Sequence, residues 1–167
     1  MTGSHFELRT ARASDLDAIL ALERATRNAP HWPLAAYQAI LDSPLPQRCL
    51  MVAESGDGLA GFAVGLVHPE PERVAELESV VVAGSARRAG IGHALCKAVI
   101  DWCQACGAAE VILEVRAGSA AAIALYAGLG FMRAGRRPRY YVDPDDDALA
   151  MRLELRPGSA QENEGPR

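Results

Sequence analysis

The segment Arg87-Arg88-Ala89-Gly90-Ile91-Gly92 joins a predicted buried strand, which ends at Val82, to a predicted helix. Glycines let a backbone approach a ligand closely, and the N–H groups of a helix's first turn point toward an anion. Two arginines add positive charge. The spacing is neither that of a dinucleotide-binding G-x-G-x-x-G motif nor that of a P-loop ending in G-K-[ST]. The segment therefore predicts either a cradle for a phosphate-bearing ligand or a flexible basic turn.

Strands and helices surround this loop on both sides. Apolar periodicity and turn residues predict the order β-α-α-β-β-β-α-β-α-β-β. Ser14 and Ser119 stand where a side chain can cap the following helix, and Gly107 and Gly130 stand where a helix stops. Helical spacing after Ser14 is kept by Leu16, Ile19, Leu20 and Glu23. We expect an α/β (α+β) fold with a mixed central sheet of roughly six to seven strands, flanked by about four helices.

Length and charge limit the class of protein. The 167 residues suit one domain, predicted over 1–155, and the polar stretch 156–167 predicts a disordered tail. The net charge of -4 argues against a nucleic-acid partner. No apolar run reaches about 18 residues and no signal pattern opens the chain, so we expect no membrane partner and a cytoplasmic location. We also expect a monomer or a weak dimer.

The C-x-x-C pair Cys103-Gln104-Ala105-Cys106 is the sequence's one candidate for thiol or metal chemistry. It ends a predicted helix just before Gly107, where the helix dipole opposes a thiolate. A structural zinc site would need further ligands at matching spacing. We interpret the pair as small apolar residues and expect no metal.

The glycine-arginine loop is similar to one found in a known enzyme family. The pattern Arg87-x-x-Gly90-x-Gly92 after an apolar strand resembles the Q/R-x-x-G-x-G/A loop of the GNAT acetyltransferases, whose amides hold the pyrophosphate of coenzyme A. The resemblance implies the GNAT fold and acetyl-CoA as co-substrate. It implies coenzyme contacts from Arg87, Arg88, Ala89, Gly90, Ile91, Gly92 and His93, and from the backbone of Val80, Val81 and Val82.

A second segment, within residues 113–131, resembles one particular subgroup of that family. Leu113-Glu114-Val115-Arg116, Ala122-Ile123-Ala124-Leu125-Tyr126 and Leu129-Gly130-Phe131 resemble the E-V-R…N-x-x-A-I-x-L-Y-x-x-L-G-F segment of RimI-type N-acetyltransferases. The resemblance implies that Glu114 accepts the proton of the attacking amine. It also implies that Tyr126 lines the coenzyme site and gives a proton or a hydrogen bond to the leaving thiolate.

Several of these assignments have alternatives. Glu114 can be a polar residue on the exposed face of its strand, and Tyr126 can be a packing residue of its helix. Glu76 and Glu78 lie near the expected acceptor cleft, and either can be the base instead. Ser119 replaces the family's asparagine that helps hold coenzyme A, and its hydroxyl can still form a hydrogen bond there.

The resemblance also implies an acceptor. RimI-type enzymes acetylate the N-terminal alanine of a small-subunit ribosomal protein, so the implied partner is a peptide or protein N-terminus, such as that of a ribosomal protein. Trp32 resembles part of the family's Pro-Trp loop, and Tyr140 and Tyr141 match a tyrosine pair that flanks the peptide channel. Two alternatives remain: a small-molecule acetyltransferase acting on a polyamine, amino acid or antibiotic, and a non-catalytic acetyl-CoA-binding module.

Overall fold

The computed structural model describes residues 5–43 and 47–156 of the chain, so most of the tail predicted over 156–167 lies outside the described residues. The strands are β1 (Phe6–Thr10), β2 (Arg48–Ser55), β3 (Gly58–Val67), β4 (Val74–Val82), β5 (Glu110–Arg116), β6 (Met132–Tyr141) and β7 (Asp146–Glu154). The helices are α1 (Leu16–Ala25), α2 (Leu34–Asp42), α3 (Ile91–Ala105) and α4 (Ala120–Gly128). The predicted order of elements is confirmed.

One mixed sheet organises the molecule. Its seven strands follow the order β1-β2-β3-β4-β5-β7-β6, and β4 and β5 form its parallel pair. That parallel pairing runs only from Val74 opposite Glu110 to Glu76 opposite Ile112. Beyond these residues β4 and β5 are no longer paired, so the sheet opens between their carboxyl-terminal halves.

Each face of the sheet carries its own core, because side chains alternate along the strands. On one face α1 and α2 pack over the sheet, with Ile19 and Tyr37 against Phe62. On the other face α3 packs over the sheet through Leu95 and Val99, and α4 adds partly buried residues to the same cluster. The predicted mixed sheet with helices on both faces is therefore confirmed.

The start of α1 corrects the prediction for Ser14, whose side chain makes no capping hydrogen bond. The Asp15 carboxylate does not cap α1 either and instead closes the short 3-10 turn Ala13–Asp15 before it, where it accepts the Arg12 N–H at 2.7 Å. It also accepts two hydrogen bonds from the Arg9 guanidinium, at 2.7 and 2.8 Å. The Arg9 hydrogen bond is the main cause that lowers the pKa of Asp15 to about 2. A carboxylate has enough acceptor sites for both partners, which a single hydroxyl lacks.

The end of α3 follows the prediction. Gly107 has φ of 88°, the left-handed conformation that suits a helix stop. Cys103 is buried and Cys106 is exposed. Burial raises the pKa of the Cys103 thiol to about 12, so this thiol stays protonated near neutral pH. Across residues 5–43 and 47–156, the helices lack the combined length and apolarity that crossing a bilayer requires.

Gly61 of β3 occupies a position where a side chain would collide with the next strand. A Cβ there would lie 2.8 Å from the Val81 carbonyl oxygen and 3.1 Å from Cδ1 of Leu95. We expect Gly61→Ala to lower the free energy of unfolding by about 1–3 kcal/mol, because β3 must shift away from β4. Gly56→Ala is the matched control, since a Cβ at Gly56 has no neighbour within 4 Å. Urea titration measures both; equal midpoints would contradict the packing described.

Candidate active site

The opening between β4 and β5 forms a cavity of about 1090 Å³. Its wall comes from five parts of the chain: the loop between α1 and α2, the second half of β4, the loop into α3, the segment from β5 into α4, and Tyr141. Drug-sized ligands fit cavities of roughly 300–1,000 Å³, so this one has room for a large ligand.

One end of the cavity is formed by the start of α3, whose backbone geometry suits an anion. Gly90 is the N-cap of the helix, with φ of 78°, and Arg88 also has a positive φ of 66°. The first N–H groups of a helix have no acceptors within the helix and carry partial positive charge. The cavity is lined here by Arg87, Arg88, Gly90, Ile91, Gly92 and His93. Ala89 does not line the cavity and instead packs against the hydrophobic core.

A β-bulge shapes the wall that β4 contributes. Val64 of β3 faces Ser79, whereas the next residue, Gly65, faces Leu77. Glu78 is therefore the extra residue of the bulge. Bulges re-aim side chains and often lie beside functional sites. Here the bulge separates the half of β4 that pairs with β5 from the half that lines the cavity.

The backbone of β4 beyond the bulge offers hydrogen-bond donors to the cavity. The Ala83 N–H donates to the Ala60 carbonyl oxygen at 2.8 Å and so points toward β3. Successive N–H groups of a strand point to opposite sides, so the Val82 N–H points toward the opening. Val80, Val81 and Val82 all line the cavity.

The three candidate bases differ in their surroundings. Glu114 and Glu78 line the cavity, whereas Glu76 does not. Nε2 of His68 lies 3.5 Å from Oε1 of Glu76. Both carboxylate oxygens of Glu78 accept hydrogen bonds from the Arg48 guanidinium, at 2.8 and 3.0 Å. Glu78 is thus held by a bidentate pair, which reduces its freedom to act as a base.

Glu114 lies on β5 at the side of the opening opposite β4. Its carboxylate is 31% exposed, and its Oε1 is 3.1 Å from Nη2 of Arg137, whose side chain is 63% exposed. An ion pair this exposed contributes little and exchanges easily. Burial first, and then the Glu114 carboxylate, raises the pKa of Tyr141. Glu114 therefore interacts with an exposed cation, Arg137, and with Tyr141, which also lines the cavity.

Tyr126 lines the cavity from α4 and is partly buried. Its ring contacts that of Phe131, with 5.9 Å between centroids. Burial is the main cause that raises the pKa of the Tyr126 hydroxyl well above its usual value. The hydroxyl therefore stays protonated and can donate a hydrogen bond into the cavity.

Ser119 lines the cavity at the first turn of α4. It stands at the predicted N-cap position, but its side chain makes no capping hydrogen bond, which corrects that prediction. The preceding Gly118 N–H donates to Oδ2 of Asp146 at 2.9 Å, and this contact fixes the turn from the β7 side. Because it makes no capping hydrogen bond, the Ser119 hydroxyl remains available to a molecule in the cavity.

The hairpin between β6 and β7 is anchored to the end of β5. Nη1 of Arg116 donates to the Pro144 carbonyl oxygen at 2.9 Å. The same guanidinium lies 4.4 Å from the centroid of the Tyr141 ring. Arg116 and Tyr141 both line the cavity, whereas Tyr140 is 51% exposed and stays outside its lining. The hairpin thus presents one tyrosine of the pair to the site.

The loop between α1 and α2 supplies a wall that the sequence did not identify by residue. Thr26, Asn28, Ala29 and Pro30 line the cavity, and Trp32 does not. The ring of Trp32 instead packs on Tyr37, with centroids 5.6 Å apart. The sequence signals for this wall are the break in helical pattern between the two predicted helices and the resemblance to a Pro-Trp loop, and neither identifies Thr26, Asn28 or Ala29.

Comparisons with known proteins agree with this geometry. The model of the acetyltransferase (GNAT) family matches residues 16–131. The N-alpha-acetyltransferase RimI of Mycobacterium tuberculosis is 35% identical over 122 residues, which cover 72% of this chain and 74% of that protein. The crystal structure of the ribosomal-protein-S18-alanine N-acetyltransferase from Escherichia coli superposes with a TM-score of 0.78 at 30% identity, covering 97% of this chain and 100% of that one.

A further relative is longer than this chain. An uncharacterized protein of Mycobacterium leprae is 34% identical over 148 residues, which cover 87% of this chain but only 40% of that protein. The chain therefore spans less than half the length of this relative.

Proposed function

This chain belongs to the GNAT family of acetyltransferases, and from that premise we propose that it moves the acetyl group of acetyl-CoA to the N-terminal α-amino group of a protein. The family uses acetyl-CoA. The names of the relatives in Mycobacterium tuberculosis and Escherichia coli support an N-terminal acceptor, with alanine as the first residue.

One observation carries the proposal. Glu114 and Tyr126 line a single cavity that continues to the first turn of α3. The Glu114 carboxylate, the protonated Tyr126 hydroxyl and the proposed anion site at α3 thus line the same cavity. Direct transfer from a thioester to an amine needs a proton acceptor, a partner for the leaving thiolate and a grip on the coenzyme.

The coenzyme would lie along β4 with its pyrophosphate at α3. The N–H groups of Ile91, Gly92 and His93 would hold the phosphate oxygens, and Arg87 and Arg88 would add charge. The gap beyond the bulge leaves β4 without a neighbour on one side, so its free backbone groups can pair with the amides of the pantetheine arm. The Ser119 hydroxyl would add a further hydrogen bond.

An amine attacks only after it loses its proton. An α-amino group has a pKa near 8 and a lysine side chain one near 10.4, so the N-terminus is far easier to deprotonate. Glu114 accepts this proton, directly or through one water. The exposed Arg137 can leave the carboxylate at little cost when the acceptor enters.

The transfer itself forms one bond and breaks another. The amine nitrogen attacks the thioester carbon, the carbonyl oxygen gains negative charge, and the C–S bond then breaks to release the thiolate. The nitrogen loses its second proton as it becomes an amide, and the thiolate takes up that proton. The Val82 N–H, aimed at the opening, is placed to stabilise that oxygen. Tyr126 donates a hydrogen bond to the departing sulfur. Because the pKa of Tyr126 is raised above that of an ordinary thiol, hydrogen bonding is favoured over complete proton transfer.

Tyr126→Phe tests the role of this hydroxyl. We expect kcat to fall by about 10- to 100-fold, the range that a hydrogen bond to a charged group supplies, while KM for the acceptor changes little. Steady-state thiol release measures both constants. A rise in KM with unchanged kcat would contradict the role and leave Tyr126 as a binding residue.

The acceptor class is tested by thiol release from acetyl-CoA with a panel of amines. The panel holds a basic peptide that begins with alanine, the same peptide with a blocked N-terminus and free internal lysines, spermidine, free amino acids and an aminoglycoside. We expect turnover only with the free N-terminus. Turnover only with a small amine would replace the proposal with a small-molecule acetyltransferase, and no turnover with any amine would favour a binding module.

The state of the cysteines is consistent with a protein that works in a reducing compartment. All four cysteines are free thiols, of which Cys49, Cys96 and Cys103 are buried. The cytoplasm, where ribosomal proteins are made, is the setting that we propose.

A further inference from the structure

Glu23 is a charged residue buried where charge is unfavourable. It lies in the last turn of α1 and is 0% exposed. The carboxyl end of a helix carries partial negative charge, which disfavours a carboxylate there. Among the described residues, no ion pair involves Glu23. A buried carboxylate without a cation is costly, so this position calls for a compensating role.

The carboxylate closes the loop that follows it. Oε1 of Glu23 accepts the N–H of Trp32 at 2.6 Å, nine positions along the chain. The Glu23 carbonyl oxygen also accepts the N–H of Thr26 at 3.1 Å. Both ends of the loop between α1 and α2 are therefore tied to one residue. His31, beside Trp32, has a positive φ of 56°, which few side chains adopt without cost.

The surroundings of Glu23 are also under-satisfied. Within the described part of the chain, neither Oε2 of Glu23 nor the Tyr37 hydroxyl has a hydrogen-bond partner. Burial first, and then the charge of Glu23 and the approach of its carboxylate to the hydroxyl, raise the pKa of Tyr37, so the two groups face each other without ideal hydrogen-bond geometry. The ring of Tyr37 packs on Trp32 on one side and on Phe62 on the other. Glu23 and Tyr37 thus interact beneath the loop, and Tyr37 in turn packs on the loop residue Trp32.

The loop that Glu23 closes is the wall of the cavity formed by Thr26, Asn28, Ala29 and Pro30. The residues at the anion end of the cavity belong to α3 and the loop before it, and Glu23 forms no hydrogen bond with them. If the proposed function is correct, the coenzyme occupies that anion end and the acceptor approaches the thioester past the wall.

We propose that Glu23 is a positioning residue that holds the loop between α1 and α2 in place as the acceptor-side wall of the active site. Resting on the proposed function, this role makes Glu23 a determinant of acceptor binding although it is fully buried. It acts through the loop and leaves the coenzyme site unchanged.

Glu23→Leu is the decisive variant, because leucine has a similar size and cannot accept the Trp32 N–H. Removing an unpaired buried carboxylate relieves its desolvation cost, which offsets the loss of the acceptor for the Trp32 N–H. We expect KM for the acceptor peptide to rise about 10-fold or more, the loss expected for a hydrogen bond to a charged group. The affinity for acetyl-CoA and the unfolding temperature should stay as in the parent protein. Glu23→Gln keeps an oxygen acceptor and should restore most of the acceptor affinity.

Ile19→Val is the matched control, because Ile19 is also fully buried in α1 and its apolar side chain forms no hydrogen bond with the loop. It should lower the unfolding temperature by a few degrees and leave both substrates' constants unchanged. An unchanged acceptor KM in Glu23→Leu, or an equal loss of acetyl-CoA affinity, would overturn the proposal. If Glu23→Leu does not fold, amide hydrogen exchange in Glu23→Met, which also lacks the acceptor, decides. Faster exchange confined to residues 26–33 supports the role, and unchanged exchange there contradicts it.

Assays of the parent protein distinguish a failure of this proposal from a failure of the proposed function. If it acetylates only a small amine, the N-terminal function fails, and the KM for that amine then tests Glu23 in the same variants. A raised KM for the small amine would keep the role of Glu23, and an unchanged KM would remove it.

Discussion

The Gly90→Asp variant is expected to bind acetyl-CoA at least about 100-fold more weakly than the parent protein, a loss of roughly 2.7 kcal/mol. A new carboxylate at the N-cap of α3 would stand where the pyrophosphate is proposed to bind. Two like charges about 4 Å apart repel by roughly 4 kcal/mol near a protein surface. Isothermal titration with acetyl-CoA measures the loss directly.

Gly90→Asn is the control that separates charge from backbone strain. Gly90 has φ of 78°, and a Cβ there would have no neighbour within 4 Å. Asparagine tolerates this conformation better than most residues and matches aspartate in size. We expect Gly90→Asn to lose much less affinity than Gly90→Asp. Equal affinities of the two variants, or normal binding by Gly90→Asp, would refute the anion site.

The Glu114→Gln variant is expected to lose about 100-fold or more in kcat, the range that general-base catalysis supplies. Its affinity for acetyl-CoA should survive, because Glu114 lies on β5 and the proposed coenzyme grip is on β4 and α3. Its stability should change little, since the variant loses only an exposed pair with Arg137. Single-turnover kinetics with saturating acetyl-CoA isolate the chemical step.

Two neighbouring carboxylates serve as controls for Glu114. Glu76→Gln removes a carboxylate outside the cavity lining and should keep full activity. Glu78→Gln removes one within the lining that Arg48 holds at 2.8 and 3.0 Å, so we expect a smaller loss than for Glu114→Gln. Full activity in Glu114→Gln together with a large loss in Glu78→Gln would move the base to Glu78.

The parts of the fold set by local pattern were predictable from the sequence. Apolar alternation gave the strand Val74–Val82 with its observed bounds. The stop at Gly107 follows from the left-handed conformation that glycine adopts easily. Side-chain caps were less predictable, because Ser14 and Ser119 stand near helix starts without capping them. Whether a hydroxyl caps depends on competing partners, such as Asp15, that spacing alone does not rank.

The candidate site shows the same division. Every predicted coenzyme residue except Ala89 lines the cavity, because most of them are consecutive along β4 and the loop into α3, and Ser119 and Tyr126 join them from the start and body of α4. The acceptor side draws on distant loops, so Trp32 and Tyr140 were expected at the cavity and lie outside its lining. Glu23 falls at a position of the buried, otherwise apolar face of α1, and this helical spacing was the sequence feature that indicated its burial. Its bond to Trp32 depends on the path of the loop, which periodicity does not encode.

The position of the transferred acetyl group tests the central claim most directly. A basic peptide with a free N-terminal alanine and internal lysines would be incubated with the protein and acetyl-CoA, and tandem mass spectrometry would locate the added acetyl group. We expect acetylation of the α-amino nitrogen alone. Acetylation only on lysine side chains, or an unmodified peptide under conditions where a small amine is acetylated, would contradict it.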